Sequence, residues 1–302
     1  MALAELPTQQ LNVYSAIAAN RRRSVLLVAV FIVVVGALGY VLGELYAQGA
    51  GLVLVPLAVL IAVASAAGSY FAGDRIVLGL SRAREVSEAE QPVLHHLTSA
   101  LATGAGLPMP RMYVVDDLAP NAFSTGRDPQ HASIAVTSGL LAKLDRTELE
   151  GVLAHELSHV RNDDIRFMLL VTVLVGMAAL VSNWIVQSMW LGGRSRRRDN
   201  AGTILLVVGL VLAIITPVVA QLIRFAISRQ REYLADADGA LLTRYPPGLA
   251  SALRKIAGDP QPLKAANRAS APLFIANPFK KAGRWFDTHP PIEDRIRRLE
   301  SM

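Results

Sequence analysis

Four apolar runs constrain this chain more than any other feature, because they are too long and too free of charge to be stripes on ordinary soluble helices. They extend from Ser24 to Gly43, Leu52 to Ala72, Phe167 to Leu191 and Thr203 to Ile223. A bilayer core of roughly 30 Å takes about 20 helical residues, and the first two runs meet that length without a charged residue. The third is less apolar, with Asn183 and Gln187, and the fourth carries Pro217, a residue membrane helices tolerate more readily than soluble ones. With 52% hydrophobic and 18% charged residues, the chain is expected to be a mainly α integral membrane protein with two hydrophobic helical hairpins.

Arg21, Arg22 and Arg23 flank the first run. Basic residues stay cytoplasmic, so the loop from Glu44 to Gly51 is expected outside and the chain returns to the cytoplasm near Asp74. About twenty residues precede the arginines and the apolar run is long, which fits a retained anchor rather than a cleaved signal. Arg194, Arg196, Arg197 and Arg198 lie between the third and fourth runs, where a four-span count puts them outside. Either the second hairpin only dips into the membrane, or this loop departs from the charge rule. The expected organisation is a cytoplasmic segment 1–23, a transmembrane hairpin 24–73, a soluble first part 74–164, a second hydrophobic hairpin 165–224 and a soluble second part 225–302.

The net charge is +6 and there are no cysteines. Disulfides and thiolate metal sites are thereby excluded. The basic residues gather at membrane flanks and the C-terminal end without interleaved aromatic platforms, so anionic lipid headgroups are the expected partner and nucleic acid is not.

Val93, Leu94, Leu97 and Leu101 recur at helical spacing and predict a helix from about Val86 to Thr103. The β-branched runs Met112 to Val115 and Ser133 to Thr137 predict strands, separated by turn-rich Pro120-Asn121 and Gly126 to Pro129. Asp145 or Thr147 supplies a helix N-cap, with Glu148 or Glu150 as capping-box partner, and that helix runs through His159. Further helices are expected over Ser228 to Leu242, Pro247 to Ala257 and Pro291 to Glu300, with a loop-prone stretch from Asp259 to Gly283.

Residues 155 to 159 read His-Glu-Leu-Ser-His. Residues four apart share a helix face, so both imidazoles can address one ion, with Glu156 on the adjacent edge. Zinc accepts nitrogen and carboxylate ligands, and a catalytic site leaves one position open for water, whose proton Glu156 can take. Downstream, Glu232 and Asp236 also sit four apart. Glu232 can complete the ligand set, and Asp236 can accept a hydrogen bond from a ligand histidine; the alternative is a solvated face paired with Arg229 and Arg231. The second apolar pair lies between the two motifs, and a hairpin returns the chain to its starting side, so the halves can meet.

HELSH followed by SRQREYLAD resembles the HtpX heat-shock membrane proteases, relatives of the CAAX prenyl endopeptidases. The likeness covers most of the chain, including Asn121-Ala122-Phe123-Ser124-Thr125-Gly126 and the late His289-Pro290-Pro291-Ile292-Glu293-Asp294-Arg295. It implies a zincin-like α+β catalytic domain in a membrane zinc endopeptidase, one zinc per chain on His155, His159 and Glu232, with Glu156 as catalytic base. It also implies a bacterial inner-membrane location, a site facing the cytoplasm, and misfolded or unassembled membrane proteins or peptides as substrates. A narrow processing protease and a non-catalytic membrane scaffold are the alternatives. Asn121 is similar to a substrate-cleft residue, or else is a turn asparagine. The strand containing Ser133, Ile134 and Ala135 is expected to pair an extended substrate. His289 and Arg295 are candidates to stabilise the oxyanion; a capping histidine and a surface arginine are the alternative.

Overall fold

The computed structural model describes residues 13–46, 49–176, 229–266, 270–278 and 290–302. Beyond residue 176, the second pair of apolar runs lies outside the described residues, as do the arginines at 194–198.

Helices α1 (Val13–Tyr46) and α2 (Ala50–Leu80) form an N-terminal hairpin. Both outrun the apolar segments. At about 1.5 Å per residue α1 is roughly 50 Å long, and Arg21 to Arg23 lie within it rather than before it. The boundary expected at residue 23 is therefore a change of surroundings along one helix. Helix α2 likewise continues past the boundary expected at 73 to Leu80, after which Ser81 closes it by donating its N–H to the Val77 carbonyl. The stretches Ile17–Val41 and Ala50–Leu80 reach mean hydropathies of 2.7 and 2.5. Val25 is 71% and Leu52 74% exposed, an outward apolar surface that suits lipid. Small residues close the hairpin from within. A Cβ on Gly39 would stand 2.4 Å from the Ala58 Cβ, so the helices meet at a distance only glycine permits.

Past α2 the chain builds a four-stranded mixed sheet from β1 (Ala83–Glu85), β2 (Arg111–Val115), β3 (Ala122–Gly126) and β4 (Ala132–Thr137), in the order β1-β2-β4-β3. β2 and β4 run parallel, and the outer pairs are antiparallel. Two strands lie beyond the sequence expectation. β1 is three residues long, and β3 reads Ala-Phe-Ser-Thr-Gly, too short of large β-branched residues to signal a strand.

β4 is buried throughout and distributes its side chains with period two. Ile134 and Val136 join a core with Leu94, Leu97, Met112, Leu153, Leu157 and Leu253. Ala135 faces the opposite core with Val77, Leu78, Met168, Leu169 and Phe274. The sheet is thus packed between the soluble helices and the lower end of the membrane hairpin.

Helix α3 (Pro92–Ala105) starts later than periodicity suggests, because Pro92 occupies the first turn, where its missing N–H costs nothing. Gly106, at φ +68°, ends it. After the short α4 (Ser138–Lys143) comes α5 (Arg146–Arg161), whose N-cap is Asp145 with Glu148 completing a reciprocal capping box. Asn162 and Asp163 make a tight turn, with Asp163 at φ +57°, and α6 follows over residues 164–176. The remaining helices are α7 (Arg229–Thr243), α8 (Pro246–Gly258) and α9 (Ile292–Glu300). Gly239 brings α7 onto α5: a Cβ there would lie 3.1 Å from the His155 backbone nitrogen.

Candidate active site

Helix α5 buries its polar residues as well as its apolar ones. His155 is 0%, Glu156 1% and His159 6% exposed, which requires partners for each polar atom. His155 Nδ1 lies 3.0 Å from Asp236 Oδ1 on α7, and His159 Nδ1 lies 3.0 Å from Asp164 Oδ2 at the start of α6. An ionised carboxylate only accepts, so each Nδ1 donates and each Nε2 of a neutral ring keeps a bare lone pair. Those two Nε2 atoms face each other at 3.2 Å. Two neutral rings so placed would set lone pair against lone pair, a repulsion that a proton or a metal cation between them relieves. Two nitrogens at about 2.0–2.1 Å from one tetrahedral zinc lie roughly 3.3 Å apart.

Glu232 supplies the third candidate ligand. Its Oε1 is 3.7 Å from His159 Nε2 and its Oε2 3.9 Å from His155 Nε2, and one ligand atom from each of the three residues falls within 4.8 Å of the others. Glu156 accepts a hydrogen bond from the Ser124 hydroxyl on Oε2 at 2.7 Å, while its buried Oε1 has no hydrogen-bond partner among the described residues. Such an orphaned oxygen suits a group that must take a proton from a water not held by the protein.

Charge points the same way. Glu156, Asp164, Glu232 and Asp236 are all buried, against two buried guanidiniums, Arg231 and Arg295. Among the described residues these four carboxylates outnumber the two guanidiniums, an excess of negative charge that a proton on His159 or a metal cation can offset. Burial alone would lower the His159 pKa, but the Asp164 hydrogen bond and the charges of Glu232, Asp164 and Glu156 outweigh it and raise it to about 9. Burial would raise the Asp236 pKa, yet Arg295 and His155 hold it below the usual carboxylate value.

Arg295 is 1% exposed and donates through Nε and Nη2 to both Asp236 oxygens at 2.8 and 2.7 Å, a bidentate pair. Its Nη1 donates to the Ile275 carbonyl at 2.7 Å and lies 3.5 Å from Glu232 Oε2. Arg295 is thus buried and not the surface arginine of the alternative reading; its fork braces Asp236, and it borders the cavity described below. His289 lies outside the described residues.

The expectation that Ser133, Ile134 and Ala135 pair a substrate strand is corrected by the topology. β4 is an inner strand, bonded to β2 on one side and β3 on the other, so it offers no open edge. β3 is outermost, and its rim is itself met by the 270–278 segment: Ile275 N–H donates to the Ala122 carbonyl at 2.9 Å, and Phe123 bridges Phe274. Asn121 is 4% exposed; its amide donates to the Ala276 carbonyl at 3.1 Å, and its Oδ1 accepts from the Ala122 N–H. A cavity of about 520 Å³ opens beside it, bordered by Ile256, Ile275, Ile292 and Arg295 among others.

Three residues to which the sequence reading gave no role in the site complete the cluster: Ser124 on Glu156, Asp164 on His159, and Arg231, whose Nε is 3.8 Å from Asp164 Oδ1. Asp164, five residues past His159, had a usable signal, because ligand histidines commonly donate to a carboxylate.

Residues 88–302 match peptidase family M48. A protein of Thermoanaerobacter pseudethanolicus named Protease HtpX homolog is 45% identical over 296 residues, covering 96% of this chain and 98% of that one. The similarly named protein of Dictyoglomus thermophilum is 45% identical over 293 residues, covering 96% and 94%. The crystal structure of S. mikatae Ste24p aligns with a TM-score of 0.49 and 18% identity over 80% of this chain and 57% of that one. By its family match and its close relatives, this chain belongs to peptidase family M48, in the HtpX group, and is a membrane metalloprotease.

Proposed function

We propose that the protein is a zinc endopeptidase in which His155, His159 and Glu232 hold one zinc ion and Glu156 is the general base. The observation that carries this reading is the convergence of the two Nε2 atoms, 3.2 Å apart, with Glu232 beside them. What a zinc ion supplies when bound is Lewis acidity toward water and the scissile carbonyl. Asp236 and Asp164 accept from the two Nδ1 atoms and so turn both Nε2 atoms inward toward Glu232. Ser124 fixes one oxygen of Glu156, leaving Oε1 to take the proton of the attacking water and pass it to the departing amine. Arg295 acts as a positioning residue, holding Asp236 in place.

For substrates we infer misfolded or unassembled membrane proteins. The isoleucines bordering the 520 Å³ cavity suit an apolar side chain, and the hairpin holds the site beside the bilayer. Arg21 pairs with Asp163 in the catalytic body, which supports a body on the same side as Arg21 to Arg23, the cytoplasmic side of a bacterial membrane by the charge rule. By composition the second apolar pair adds a hairpin that either spans the same membrane or dips into it.

Glu156→Gln tests the assignment. It should keep one zinc per chain, measured by elemental analysis of the detergent-solubilised protein, while cleavage of an unfolded membrane substrate falls by at least about a thousandfold, within the range for general-base loss. Cleavage at the wild-type rate removes Glu156 from the mechanism.

A further inference from the structure

We propose that Asn20, on the first membrane helix, is a positioning residue for the metal site: it holds Asp164, which aims His159. The inference rests on the reading of His155, His159 and Glu232 as metal ligands.

Asn20 lies at the polar end of α1, immediately before three exposed arginines, yet it is only 3% exposed. Its Nδ2 donates to Asp164 Oδ1 at 2.7 Å and to the Asn162 carbonyl at 3.0 Å. Both amide hydrogens therefore go to the turn between α5 and α6, across more than 140 positions of sequence. Asp164 uses its other oxygen, Oδ2, to accept from His159 Nδ1 at 3.0 Å. One carboxylate oxygen serves the membrane helix and the other serves the candidate ligand. A carboxylate held at both oxygens cannot rotate about its own axis, so the amide fixes the direction in which His159 must point.

The surroundings make this contact specific. Among the described residues the guanidinium paired with Asp164 is that of Arg231, whose Nε stands 3.8 Å from Oδ1, beyond hydrogen-bond range. Asp163 turns the chain at φ +57°, and Asn162 Nδ2 donates to Asp238 Oδ2 on α7 at 3.1 Å. The turn gripped by Asn20 is thus also tied to the helix that carries Glu232. Two turns along α1, Leu27 packs with Phe167, Leu170 and Val171 of α6, which seats the membrane helix along the same element that Asp164 begins.

The test uses full-length protein loaded with zinc in detergent, comparing Asn20→Ala and Asn20→Leu with wild type. Asn20→Leu keeps the volume and removes both donors. The readouts are the rate of zinc release to a chelator and the visible absorption of the cobalt-substituted protein, which reports ligand geometry. Removing a partner behind a metal ligand typically weakens binding by about 10–100-fold, so both variants should release zinc about tenfold faster and shift the cobalt bands while retaining wild-type helicity. Arg21→Ala, which breaks only the neighbouring exposed ion pair, should release zinc at the wild-type rate. Wild-type release and spectrum in a folded Asn20→Ala protein overturn the proposal; if that variant does not fold, the same result in Asn20→Leu does so. A wild-type protein that binds no zinc overturns instead the metal-site reading beneath it.

Discussion

The membrane hairpin and the catalytic body solve opposite problems. In α1 and α2 the large apolar side chains face outward, and small residues such as Gly39 and Ala58 make the internal contact. In α5 and α7 the interior holds carboxylates, imidazoles and guanidiniums, each tied to another. The hairpin draws on its surroundings and on close backbone approach, whereas the body's centre draws on pairing, since an unpaired buried charge is very costly. A substitution therefore damages the two regions by different routes.

The largest effect is expected at the pairing. Asp236→Ala leaves Arg295 buried without its bidentate partner and should destabilise the body by about 3–5 kcal/mol, seen as a lowered unfolding midpoint in detergent. A loss below about 1 kcal/mol would mean that the interior tolerates a lone charge and that the contrast with the hairpin is weak. In the hairpin, Gly39→Val forces atoms into the Ala58 contact and should cost about 1–3 kcal/mol by overpacking. Zinc affinity of the folded protein should stay unchanged, and a measured change would show that the two regions are not separable in this way.

The smallest expected effect is graded with pH. His159 in the metal-free body has a pKa raised to about 9, so a proton occupies it at neutral pH and zinc must displace that proton. Apparent zinc affinity should rise about tenfold per pH unit from about pH 7 to about pH 9, then level as the proton is already gone. Competition titrations with a chelator of known pH dependence, corrected for that dependence, measure the slope. A flat response over that interval would mean His159 is neutral before metal arrives.

What sequence could disclose follows the range of the interactions. The capping box at Asp145 and Glu148, the histidines four apart and the apolar runs are local patterns, readable within a few residues. β3 escaped because its small residues look like turn, and its strand character comes from the β4 pairing and the burial it receives. The inner position of β4 was equally hidden, since strand order is a property of the whole sheet. Asn20 and Asp164 meet across most of the chain, and no spacing rule reaches that far. Arg295 was legible as a candidate cation for the site, but its partner was not; only the folded α9 reveals Asp236 against it.

The excess of buried carboxylates over guanidiniums around His155 and His159 also bears on how the molecule matures. A newly made chain that has folded without metal holds mutually repelling carboxylates in a place where water cannot screen them, and ligand binding to the native state alone adds stability in proportion to occupancy. Metal loading is then the last step of folding as well as the first step of catalysis. A peptidase built so is weakest while it is inactive, and cellular proteolysis would remove the unloaded form before the loaded one.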